Sequence, residues 1–149
     1  MAELKRRRGR VTIRLAEHER DALLGVVTDL LPHVAASMAD RLTAYENSDH
    51  QAEYDRWMRP EIELNRDADI EAIRHDLLSG EDMILLTEPQ AYAWLRGLNH
   101  LRLAAANLAG ADEDGWEERA SELEQARPEF RMFLLLGYVE EELVVTLSN

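Results

Sequence analysis

The chain has 149 residues, no cysteine and a formal net charge of −13. That length suits one domain with a sizeable core, and the absence of thiols excludes disulfides, zinc–thiolate centres, iron–sulfur clusters and thiol catalysis. Charge is unevenly placed: residues 1–10 hold five basic side chains and one acid, net +4, whereas the remaining 139 residues carry −17.

A body that acidic repels phosphate backbones and is a poor match for nucleic acid. No apolar run reaches the ~18 residues that span a bilayer. The basic N-terminus is followed by no hydrophobic region, so no signal peptide is expected, and the chain reads as a cytoplasmic protein. Residues 1–10 are expected to form a basic flexible tail, and residues 11–149 a single helical domain.

Val11–Leu15 (VTIRL) alternates apolar and polar residues and predicts a short strand or extended arm. No second strand is evident, and an isolated strand is not stable alone. It can pair with its counterpart in a homodimer. From Ala16 the pattern is helical, with Ala22, Leu23, Val26, Val27, Leu30 and Leu31 on one side, and Pro32 is expected to end or kink the helix. Val34–Tyr45 continues helically, Glu46–His50 reads as a loop, and Ala52–Met58 as a short amphipathic piece. Pro60 opens the next helix, which carries Ile62, Ile70, Ile73, Leu77 and Leu78 and closes at Gly80.

The clearest helix runs from Thr87 to Gly110. Thr87 and Gln90 form a Thr-x-x-Gln capping box, and Pro89 falls in the first turn, where its missing N–H costs nothing. Trp94, Leu95, Leu98, Leu101, Ala105 and Leu108 share a face, and Gly110 is suited to a left-handed C-cap. After an acidic loop, Ala111–Gly115, Trp116–Gln125 predicts one or two helical turns. Pro128 starts the last helix, whose FLLLGYV section is apolar on nearly every side and so is expected at the centre of the core. The predicted fold class is all-α, a bundle of about five helices with a short N-terminal extended arm.

Little of this supports catalysis or metal chemistry. No serine lies in a Gly-x-Ser-x-Gly elbow, and the glycines build no phosphate-cradling loop. No histidine follows a Glu by three residues, the spacing of di-iron bundles; Glu71/His75 and Glu46/His50 read as surface pairs. Asn65, Asp67, Asp69 and Asp76 echo a calcium loop, but Ile70 stands where the turn needs Gly, and Asp76 where a bidentate Glu is needed. No enzyme activity, cofactor or metal is expected. The segment after LAEHERDALL makes a weak recognition helix, since Val34–Tyr45 contains only Arg41 as a basic residue.

Asn99 and Arg102, one turn apart beside the apolar stripe, form the candidate polar network. Their expected partner is Glu141 of the last helix or Glu63 of the helix after Pro60. A buried Arg needs such a partner because an unpaired charge is costly; the pair then fixes which helices meet more than it stabilises them. The functional alternative is a polar pocket for a small ligand or a partner's terminus. Trp94 and Tyr138 read as core aromatics. Trp57 and Trp116, in more polar surroundings, are the candidate interaction surface, because Trp is enriched at binding hot spots.

Trp94–Leu108 (WLRGLNHLRLAAANL) resembles the Trp-Leu-x-x-Leu-Asn-Asp-x-Arg-Leu helix of an actinobacterial domain-of-unknown-function family, number twenty-seventeen. Leu135–Val144 (LLGYVEEELV) is similar to its closing Leu-Gly-x-Leu-Gln-Glu-x-Leu pattern, and Ile13–Val27 fits its Leu-x-x-x-Glu start. His100 replaces the family's Asp and Glu140 its Gln. Members are encoded near an adaptor of the Clp protease, and some are labelled transcriptional regulators. The resemblance implies a regulatory or adaptor role through a protein partner, Clp-related, and supplies no catalytic residues. The alternative is a DNA-associated transcriptional regulator that uses the basic N-terminal arm.

Overall fold

The structure, a computed structural model, describes residues 2–42, 52, 56, 59–111, 115–122 and 127–148. Two strands, β1 (Glu3–Arg7) and β2 (Arg10–Arg14), precede helix α1 (Glu17–Leu42). Helix α2 (Arg59–Leu78), strand β3 (Met83–Thr87) and helix α3 (Glu88–Ala109) follow, then a 3-10 turn at Trp116–Arg119 and helix α4 (Pro128–Ser148). Helix dominates, but the chain is not purely all-α: the strands form a three-stranded antiparallel sheet in the order β1-β2-β3.

The basic segment expected to be a flexible tail is therefore one arm of a hairpin. Arg7 pairs with Arg10 across a two-residue loop, Arg8-Gly9, whose φ values are 53° and 76°. Both central residues are left-handed, which is the turn that matches the twist of paired strands. The VTIRL strand, for which no second strand was evident in the sequence, sits at the centre, with β1 on one side and β3 on the other. Its Val11 and Ile13 are fully buried.

Helix α1 begins with Glu17 and Glu19 in its first turn, where acids complement the helix dipole. The Glu19 carboxylate also accepts the Ala16 amide at 3.1 Å. Pro32 does not end this helix, which runs on to Leu42. Leu30 and Val34 are both buried, so packing on each side of the proline offsets the one backbone hydrogen bond it removes. Beyond Leu42 the expected Ala52–Met58 helix and the loop before it lie almost entirely outside the described residues.

Helix α3 is as expected at both ends. The Thr87 hydroxyl accepts the Gln90 amide (3.3 Å), and the Gln90 side chain accepts the Thr87 amide (2.9 Å). Gly110 closes it in the left-handed conformation, φ 78°, its N–H donating to Ala106. This helix, rather than α4, is the centre of the fold: it packs on α1, α2, α4, β2 and β3, and Trp94, Leu98 and Leu101 are fully buried. In α4 the FLLLGYV section leaves Leu134 exposed, as are Val144 and Val145 further on, so that helix has an outer face.

Close approach of α2 to α3 depends on Gly97. A Cβ there would lie 2.7 Å from Ile73 Cδ1 and 3.0 Å from the Asp69 carbonyl oxygen. Around this point Asp69 accepts two bonds from the Arg96 guanidinium, 2.9 and 3.1 Å, and the Trp94 indole N–H donates to Asp76 at 2.8 Å. The aspartates that echoed a calcium loop are thus side chains of a continuous helix, and two of them bind α3. Among the described residues no helix is long and apolar enough to cross a membrane.

Candidate functional site

Two places in this fold collect charge that the core does not need. One is the seam between α3 and α4; the other is the outer face of the sheet.

At the seam, Arg102 of α3 meets Glu140 of α4, with a guanidinium nitrogen 3.7 Å from the carboxylate. That separation is an ion pair without a hydrogen bond, and neither Arg102 Nε nor Glu140 Oε2 has a hydrogen-bond partner among the described residues. The guanidinium lies over the Phe133 ring, 5.0 Å from its centroid, a cation–π arrangement. Gly137 leaves it room, because a Cβ there would sit 3.4 Å from Arg102 Nε. Burial raises the Glu140 carboxyl above the ordinary glutamate value, and the Arg102 charge only partly opposes this.

The acids expected to partner Arg102 were Glu141 or Glu63, but Glu141 is exposed and the acid that meets Arg102 is its inward-turned neighbour Glu140. The reason is helical phase. Glu140 lies four residues after Leu136 and three before Leu143, on the buried stripe of α4. Asn99 is half-buried one turn before Arg102, and Glu63 is half-buried in the first part of α2. Arg102 and Glu140 are the pair the structure brings together.

Trp116 is not a solvent-facing anchor. It is half-buried, edge-on to Phe130 at 5.9 Å and to Phe133 at 5.5 Å between ring centroids. Aromatic packing of this kind is a core feature, and it fastens the 3-10 turn to α4 beneath Arg102. Trp57, the other expected contact residue, lies outside the described residues. Trp94 is the buried core aromatic it was expected to be.

The outer sheet face takes in the basic N-terminal arm that the DNA-associated alternative would use, and its make-up follows from register. Val11 and Ile13 point into the core, so Arg10, Thr12 and Arg14 point out. Their partners are Arg7, Lys5 and Glu3 on β1, and Thr87, Leu85 and Met83 on β3. One face therefore carries four cations against a single acid, on a chain of net charge −13. Glu3 reaches Lys5 at 2.9 Å, but both side chains are more than half exposed, and an exposed pair of this kind is weak. A cleft of about 650 Å³ runs round the β1 edge, lined by Lys5, Arg7, Thr12 and Arg14 of this face and by the inward-facing Leu4 and Arg6 with Thr146 of α4. Leu85 and Met83 are 54% and 48% exposed.

Arg6 has a different role from its basic neighbours. It points inward, donates to the Leu147 carbonyl at the end of α4 (2.7 Å) and to Glu88 at 3.2 Å. It thereby anchors β1 against a helix C-terminus, whose open carbonyls accept cationic donors.

Among the described residues no group of three or more His, Asp or Glu is placed to hold a metal ion. The model of a protein family described as Domain of unknown function (DUF2017) matches residues 1–147. Neither the curated proteins nor the solved structures yield a match.

Proposed function

This chain belongs to the family described as Domain of unknown function (DUF2017), and from that premise we propose that it is a non-enzymatic binding protein that regulates or adapts a protein partner. Its contact surface is the outer face of the sheet. The observation that carries this reading is the concentration of Lys5, Arg7, Arg10 and Arg14 on one face beside exposed Met83 and Leu85. Cations steer an acidic partner and fix its register, and the apolar pair supplies area to bury. The binding weakens with salt, since these charges are exposed.

The test is capture from nuclease-treated host lysate with the natural chain and with a variant carrying Glu at positions 5, 7, 10 and 14. An acidic protein held by the natural chain and lost by the variant supports the reading. A protein held equally by both chains removes the sheet face from the function. DNA retained only when nuclease is omitted, and lost by the variant, replaces the partner protein with a phosphate backbone.

A further inference from the structure

We propose that β3 is the pairing edge for a second copy of this chain, joining two sheets into one of six strands. This inference concerns self-association and stands or falls separately from the identity of any other partner.

Backbone phase comes first. The Leu15 amide donates to the Asp82 carbonyl at 2.9 Å, which fixes 15/82, 13/84 and 11/86 as the hydrogen-bonded pairs between β2 and β3. Met83 and Leu85 alternate with these. Their N–H and C=O groups therefore point away from β2, toward the outer edge of the sheet. Among the described residues β2 is the only strand beside β3.

Side chains come second. Sheet edges are ordinarily protected by charge or proline. β1, the other edge, has Glu3, Lys5 and Arg7 on its outward face and is anchored to α4 by Arg6. The sequence of β3, MILLT, contains neither charge nor proline.

The occupant follows from self-complementarity. An antiparallel two-fold pairing centred on Ile84 sets Met83 against Leu85 of the second copy, and Leu85 against its Met83. The outward amides then bond one another, and four exposed apolar side chains form one patch. The rival two-fold centred on Leu85 would set Met83 against Thr87 and so match fewer apolar side chains. The pairing is confined to residues 83–87, because Asp82 lies at a bend and is engaged by Arg20 of its own chain at 3.0 Å, and Glu88 opens α3.

Sedimentation equilibrium of the full chain, from micromolar to millimolar concentration, tests this. The natural chain is expected to approach twice the single-chain mass, and Leu85→Lys to stay at one chain mass with an unchanged far-ultraviolet circular dichroism spectrum. Leu64→Lys, at a more exposed leucine on α2 (69%), is expected to associate like the natural chain. A natural chain that stays single throughout, or a dimer that survives Leu85→Lys, overturns the proposal.

Discussion

β1 and β3 flank the same central strand, yet one presents Glu3, Lys5 and Arg7 outward and the other Met83, Leu85 and Thr87. β1 is finished within the chain: its inward Arg6 reaches the last turn of α4 and the first turn of α3. Among the described residues β3 has no such anchor on its outer side, and two of its three exposed residues, Met83 and Leu85, are apolar. The difference teaches that charge on this hairpin does two jobs. Where a guanidinium is turned inward it closes the fold; where cations are turned outward they make a surface for something else.

The largest effect should come from breaking the anchored edge. Arg6→Ala removes the charged donor's hydrogen bonds to Leu147 of α4 and Glu88 of α3, and should cost about 2 kcal/mol. Urea unfolding reads this as a lower midpoint with an unchanged slope. An unchanged midpoint would mean that β1 needs no anchor and that the two edges do not differ in this way.

Next is the hairpin that delivers β1 to its place. Gly9 has a φ of 76°, and Gly9→Ala should cost about 1 kcal/mol because a Cβ disfavours the left-handed conformation. If thermal unfolding of this variant matches the natural chain, the tight turn does not hold the hairpin.

The α3–α4 seam carries a pH dependence of its own, set by Glu140. Burial raises the Glu140 carboxyl, so the folded state holds its proton more tightly than the unfolded chain does. Its contribution to stability is therefore fullest below the usual glutamate range and is lost as pH rises through the raised value. Between about pH 4 and pH 7, Glu140→Gln should abolish that loss and raise the neutral-pH midpoint modestly. A lower midpoint at pH 7 would show that the attraction of Arg102 outweighs desolvation.

The smallest effect is expected at the open edge. Leu85→Lys should change single-chain stability by about 0.5 kcal/mol or less, as for an exposed substitution with no packing role. A large loss in dilute solution would place Leu85 in the core of the single chain.

The helices were largely legible in the sequence because their signals are local. The Thr87–Gln90 box, the stripe through Trp94 and Leu101, and Gly110 each specify one turn of α3. Pro32 left an end or a kink open from the sequence, and the helix runs on because packing at Leu30 and Val34 offsets the proline's local penalty. The sheet was hidden for two physical reasons. In β1 the run of basic residues masks the alternation that puts Leu4 and Arg6 inward, and the Leu147 carbonyl and Glu88 that receive Arg6 are distant in sequence. In β3 the outward positions are themselves apolar, so period two is invisible in MILLT.

At the candidate site, Arg102 was legible as a residue needing an acid. Its partner was missed by one position, although the Leu136–Glu140–Leu143 spacing already placed Glu140 on the buried stripe. Trp116 looked exposed because its sequence neighbours are acidic, whereas Phe130 and Phe133 cover it from another helix. Nothing local marks the outer sheet face, since it is assembled from residues 3–14 and 83–87 only by pairing.

Hydrogen exchange at the Leu85 amide, followed over a range of protein concentrations, tests the contrast between the edges most directly. That amide points away from β2, so the account predicts rapid exchange in dilute solution and protection that grows with concentration, while Ile84, bonded to β2, is protected throughout. A Leu85 amide that exchanges at one rate at every concentration would contradict it.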